Sequence, residues 1–449
     1  MQMWNQLLEQ GNSVNLFCSP NLNSICRRWM PLICVLGLVG FGTGCSTFSS
    51  SDDDLPTEDG ESEIVTEMEV DPVLIRVTEE GGEYTTEHIA AEDVFERAYY
   101  DFQARRYDSA AENYQLIVDY FDESRFYLPA LYNGGLAYEE LDLWREAANS
   151  FRIIVEEFAD ADEALNARFR LAKALHELGE YNEVDELLLE VLLQDGLDHF
   201  DRVEAHVRRG QALLELEQWN DAENSFRNVL ESNREAIPSD RLDDDSRFIV
   251  LTHFGIGQAN HGRMNDIPLL LPPERMREDL DTKADYHQSA QVAYIRALRE
   301  HHPHWSVAAG YKIGRLYQDF YMDIFTAEIP DDLTEEELAF YFEELRNKIE
   351  VLMDRALTVY ERNLSFSRRV ARSPDAEDWV QATALHLERM RAFLDDPLVQ
   401  EHAERLVLQD GDLEQLWDPG YYARIHVGEA LEQAVEISRS AGGEELARR

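Results

Sequence analysis

The sequence predicts an all-α chain: a solenoid of helical hairpins with a disordered N-terminal segment before it and a long-helix C-terminal extension after it. Three observations carry this. From Ala91 onward apolar residues recur in steps of three and four, the helical period, with Gly and Pro at the breaks. An aromatic residue returns at Tyr107, Trp144, Tyr181 and Trp219, spaced 37, 37 and 38 residues apart. Three residues after each stands a small one (Ala110, Ala147, Val184, Ala222), and four further on a bulky one (Tyr114, Phe151, Leu188, Phe226).

The chain divides in order. Residues 1–44 have the parts of an export signal: Arg27 and Arg28, the short apolar run Trp29 to Phe41, then small residues before Cys45. The layout resembles a bacterial lipoprotein signal, which implies lipidation of Cys45 and residence in the cell envelope; Gly42 stands where such signals generally carry Leu. A retained membrane anchor is the other reading of the same run. All four cysteines lie in the first 45 residues, so beyond Cys45 the fold has no disulfide to lean on. Residues 45–90 are Ser-, Asp- and Glu-rich and read as a flexible acidic linker, in which Val73-Leu74-Ile75-Arg76-Val77 is a strand-like patch.

Residues 91–235 hold the four in-register repeats. Gly135-x2-Tyr138 and Ile313-Gly314-x2-Tyr317 supply the first-helix half of the pattern. Together these residues resemble the tetratricopeptide repeat, L-G-x2-Y followed by A-x3-F. Small residues on both helices let the backbones approach, and aromatics fill the space between hairpins. No hairpin buries its apolar face alone, so neighbours must stack. Residues 236–322 continue as divergent repeats: a fifth first helix over Phe248 to Asn260, an insertion at 263–284 containing Leu269-Leu270-Leu271 between prolines, a partner helix Gln288 to Leu298, and a sixth first helix Val307 to Phe320. In 323–449, Thr334-x-x-Glu337 is a capping box opening a long helix to about Arg372. Ser373-Pro374 opens the next helix.

A formal charge of −49 repels nucleic acid and anionic lipid surfaces. Catalytic and phosphate-binding motifs are missing, so the sequence is read as non-enzymatic, with no cofactor and no small-molecule substrate. Phe254-Gly255-Ile256-Gly257 is part of a dinucleotide fingerprint, but it lies within a helix, where close packing explains the glycines. The resemblance implies that first helices line a concave groove that binds partner proteins or peptides. By alignment the groove offers Phe95, Tyr99, Tyr132, Asn133, Arg170, Lys173, Arg208 and Gln211. Asn133 and Arg170 resemble part of a carboxylate clamp; Phe95 and Tyr99 depart from it. The basic residues either hold an acidic ligand or pair with acidic neighbours across repeats.

Two alternatives stand beside the scaffold reading: a metal-dependent envelope enzyme using His301, His302 and His304, and a purely structural spacer. In layout the chain also resembles repeat lipoproteins of outer-membrane protein assembly and of cell-division or envelope coordination, and its segment from Leu271-Pro272-Pro273-Glu274-Arg275-Met276 through Tyr317 resembles repeat lipoproteins of the myxobacterial gliding machinery. That resemblance implies an envelope machine part, held at the outer membrane with its solenoid in the periplasm.

Overall fold

The computed structural model describes residues 73–80, 83–243, 246–300, 302–330, 332–370 and 376–409, all within the unit Asp71–Arg449. The export signal, Cys45, the linker up to residue 72, His301, Ser373-Pro374 and the chain after 409 lie outside the described residues.

Two strands, β1 (Val73–Glu80) and β2 (Glu83–Ala90), pair antiparallel with Val73 opposite Ala90 and Glu80 opposite Glu83. The linker reading is therefore corrected over 73–90. Local composition is too polar to fold alone, yet Leu74 and the buried Ile89 pack on the first helices. Tertiary contact supplies what local composition lacks.

Fourteen helices follow among the described residues: α1 (Ala91–Gln103), α2 (Tyr107–Tyr120), α3 (Tyr127–Glu140), α4 (Trp144–Glu157), α5 (Ala164–Glu177), α6 (Tyr181–Leu192), α7 (His199–Glu215), α8 (Trp219–Glu235), α9 (Arg247–Asn265), α10 (Pro273–Arg299), α11 (Pro303–Phe325), α12 (Glu335–Val370), α13 (Glu377–Asp395) and α14 (Pro397–Leu408). The four periodic aromatics are the first residues of α2, α4, α6 and α8. Two residues before each aromatic the backbone turns left-handed, at Arg105, Asp142, Gly179 and Glu217. At every one of these turns two backbone bonds close the preceding helix, as in Glu217 N–H to Leu214 C=O at 3.1 Å and Gln218 N–H to Leu213 C=O at 2.9 Å. This pairing satisfies the orphan carbonyls of the helix end and sets the same turn in every repeat.

Each hairpin is keyed by one small residue facing one bulky ring or side chain. A Cβ at Gly135 would stand 2.6 Å from Phe151, and one at Gly210 would stand 2.7 Å from Phe226. The same key recurs at Gly257 against Tyr294, and a Cβ at Gly314 would overlap Tyr360. The repeat therefore runs through α9–α10 and α11–α12 as fifth and sixth hairpins. Their second helices are lengthened at the N-terminal end, which moves Tyr294 and Tyr360 far along the sequence without moving them in the hairpin. This corrects the insertion at 263–284: only Asp266–Pro272 is loop, and the rest is helix, with Leu280 and Lys283 buried. Gly255 of the partial dinucleotide pattern packs on Phe226, so close approach accounts for both glycines.

Leu269 is buried, and its carbonyl accepts from Glu328 N–H at 3.0 Å, while Leu271 N–H donates to Glu328 Oε2 at 2.6 Å. The Leu-rich segment is thus strapped to its own solenoid. The capping box forms: Thr334 N–H donates to Glu337 Oε2 (2.9 Å) and Glu337 N–H to Thr334 Oγ1 (3.3 Å). The helix it opens has 36 residues, roughly 54 Å at 1.5 Å per residue.

Consecutive helices pack throughout, and from α5 onward each odd-numbered helix also touches the next odd-numbered one up to α13. That closer approach marks the odd helices as the inner layer of a curved array. The core is a chain of local clusters rather than one centre: Ile89 to Ala137, Leu131 to Ala212, and Val203 to Ala293.

Candidate partner-binding face

The keying residues put the odd helices in common register: Ala98, Gly135, Ala172, Gly210, Gly257 and Gly314 are equivalent. Two residues before and one after each key, the helices carry Glu96 and Tyr99, Asn133 and Leu136, Arg170 and Lys173, Arg208 and Gln211, Gly255 and Gln258, then Lys312 and Arg315.

The residues predicted from sequence separate into three groups. Phe95 packs between Tyr114 (5.6 Å) and Phe126 (5.2 Å), and Tyr132 meets Phe151 edge-on at 5.8 Å; both are tied into the stack between hairpins. Tyr99 is exposed, while Asn133 and Gln211 are half-buried. Arg170 and Lys173 are brought together on one acceptor, the Glu139 carboxylate of the preceding odd helix, at 3.1 and 2.6 Å. Arg208 pairs with Glu204 on its own helix at 2.7 Å, and its neighbour Arg209 pairs with Asp185 on α6 at 2.6 Å. Of the two readings of these basic residues, pairing with acidic neighbours is what the geometry shows. Glu139 is buried, so Arg170 and Lys173 neutralise it while keeping outer edges in solvent.

Of the histidines in the metal reading, His302 and His304 lie within the described residues. His302 is the N-cap of α11, His304 lies against Trp305 at 4.6 Å, and His287 is wedged between Tyr317 and Phe320. Among the described residues no three His, Cys, Asp or Glu side chains are grouped as a metal ion requires.

Sequence reasoning missed a second polar zone, on α9, α11 and α13. His261 Nε2 lies 3.0 Å from Asp319 Oδ2, and Arg315 braces the other oxygen at 2.9 Å. Burial alone would push the Asp319 carboxyl up, but hydrogen bonds from His261 and Arg315 leave it below the ordinary carboxylate range. Next to it Tyr311 Oη is 3.0 Å from His386 Nε2, and His386 Nδ1 is 3.2 Å from Gln318 Oε1, which also accepts from Tyr360 Oη at 3.2 Å. Burial holds His386 down to about 4, with Arg315 and Arg389 adding to the effect, so the imidazole is neutral. Deeper still, Lys283 is 1% exposed and donates to Asp323 at 2.7 Å and to the Met264 carbonyl. The register extended through Gly257 and Gly314 finds Lys312 and Arg315 beside this zone, while His261, Asp319 and His386 meet only through the packing of the helices.

These hairpins, their shared left-handed turns and their small-residue keys define the fold. It is a tetratricopeptide-type α-solenoid. No family model and no curated protein matches the sequence. Solved structures similar to it include a tetratricopeptide repeat protein from Parabacteroides merdae (16% identity, 66% of this chain and 98% of that one, TM-score 0.33). A TPR repeats protein from Bacteroides fragilis is similar at 13% identity, with 67% and 98% covered and a TM-score of 0.25. Human IFIT1, solved as a dimer with m7Gppp-AAAA, is similar at 15% identity, with 76% and 72% covered and a TM-score of 0.32. These likenesses concern the fold alone.

Proposed function

We propose that this protein is a non-catalytic interaction scaffold, lipid-anchored through Cys45 in the cell envelope, that binds partner proteins along the inner wall formed by its odd-numbered helices. The observation that carries it is the register of half-exposed polar side chains on that wall, running from Asn133 through Arg170, Lys173, Arg208, Gln211 and Gln258 to Lys312 and Arg315. Along this row Arg170, Lys173, Arg208 and Arg315 are held by carboxylates, and Asn133, Gln211, Gln258 and Lys312 lie half-buried among them. The four braced side chains are preorganised, so little of their entropy is lost when a partner docks. The repeat fold by itself does not choose the partner. The envelope address is supported by the Cys45 context of the first 45 residues.

The test is crosslinking and pull-down from native membranes with the full chain. Arg170→Glu combined with Arg208→Glu should abolish capture of whatever co-purifies, whereas Arg152→Glu on α4 should leave it intact. Unchanged capture in the double variant, with helical content preserved, would remove the inner-wall reading. Metabolic labelling with a fatty-acid analogue should be lost in Cys45→Ala; persistence of the label would sink the anchoring reading.

A further inference from the structure

The chain has 37 arginines but only four lysines, Lys173, Lys283, Lys312 and Lys348. Three of them have a carboxylate within reach: Lys173 has Glu139 at 2.6 Å, Lys283 has Asp323 at 2.7 Å, and Lys348 has Glu344 at 3.9 Å. Lys312 differs. Among the described residues it forms no ion pair and donates no hydrogen bond, although it lies half-buried on the inner wall. An ammonium in that state has donors that a docking acceptor can take up.

Its surroundings indicate what that something is. Arg315 lies one helical turn away, about a third exposed, and fixed by its pairing with Asp319. Asp319 is already engaged by His261 and Arg315, and Glu215 on α7 acts on Lys312 without forming an ion pair with it. His386 is neutral, and Arg389 on α13 adds a further positive charge near Tyr311 and His386. With Asp319 held by Arg315 and no carboxylate paired with Lys312, one ammonium is left without an ion partner, which suits one carboxylate. The planar guanidinium of Arg315 also matches a carboxylate in shape.

We propose that Lys312 and Arg315 form an oxyanion site on the inner wall that seats the carboxylate of an acidic side chain in a bound partner protein. The proposal rests on the inner-wall reading above and adds the chemistry of one contact. Burial first, and then the neighbouring charge of Arg315, hold the Lys312 pKa below the ordinary lysine range in the free protein.

With four lysines, reductive 13C-methylation of the full chain gives a spectrum in which Lys312 is assigned by its loss in Lys312→Arg. Three probes are titrated: an N-acetylated, C-amidated tetraglutamate peptide, its tetraglutamine counterpart, and inorganic phosphate. The glutamate peptide should move the Lys312 resonance saturably and raise its titration midpoint by about half a unit or more, with Lys348 unmoved. Arg315→Gln should weaken that binding about tenfold, the loss of one charge-assisted hydrogen bond. Because Arg315 also braces Asp319, Lys312→Met, which leaves that pair in place, is measured by calorimetry and should show a comparable loss. A glutamate peptide that leaves Lys312 unmoved, or moves Lys348 equally, overturns the site. Phosphate acting where the glutamate peptide does not overturns the carboxylate assignment. These failures leave partner capture through Arg170 and Arg208 untouched, so the two readings fall separately.

Discussion

At the scale of single residues, glycines and buried titratable groups carry most of the consequences. Gly314 is keyed into Tyr360, whose hydroxyl is committed to Gln318, so the ring has nowhere to retreat. Gly314→Ala should lower stability by about 1–3 kcal/mol, the usual consequence of overpacking, measured by denaturant unfolding. The imidazoles set an acid limit. Burial holds His206 and His386 down to about 4 and His287 to about 3, each from 6.5. The unfolded chain therefore binds more protons than the folded one below pH 6.5. Stability from these groups is complete above that pH and is lost as pH falls toward 4 and 3. Asp323 works in the opposite sense: burial raises it to about 6 despite Lys283, so its own contribution falls as pH rises from 3.8 to 6. Three histidines outweigh one aspartate. The melting temperature should fall between pH 6.5 and 4, and His386→Gln should reduce the slope in a thermal scan.

At the scale of elements, the hairpin of β1 and β2 acts as an end piece for the repeat array. Its inner face supplies Leu74 and Ile89 to the first cluster, while Val73, Ile75 and Val77 face outward. In a quasi-one-dimensional array each unit is stabilised mainly by its neighbours. Removing residues 73–90 should therefore speed amide exchange in α1 and α2 and leave α11 and α12 at their original protection. Uniform acceleration along the chain would show that the hairpin does not act locally. The long second helices of the fifth and sixth hairpins belong to this scale too. Their distances in sequence hide a contact that is the same as in the first four.

At the scale of the molecule, net charge outweighs the individual ion pairs. A formal −49 in 449 residues makes the folded state self-repelling. Cross-helix pairs such as Arg152 with Glu183 and Arg145 with Glu180 are exposed and contribute little singly. Screening of the net repulsion should exceed screening of those pairs. The melting temperature should thus rise by a few degrees between low and roughly 0.5 M sodium chloride. A fall over that range would mean that the surface ion pairs outweigh the net charge.

The sequence by itself determined the helical hairpins, the positions where α2, α4, α6 and α8 begin, and the capping box of α12. Each rests on interactions within a few residues or on a repeating register, and both are written in the chain directly. Three matters were decided only by tertiary structure. The strands at 73–90 exist because α1 and α2 cover Leu74 and Ile89. Arg170 and Lys173 converge on Glu139, a partner more than thirty residues away. The polar zone of His261, Lys312, Arg315, Asp319 and His386 forms because α9, α11 and α13 lie side by side, and proximity across a solenoid wall has no local sequence signature.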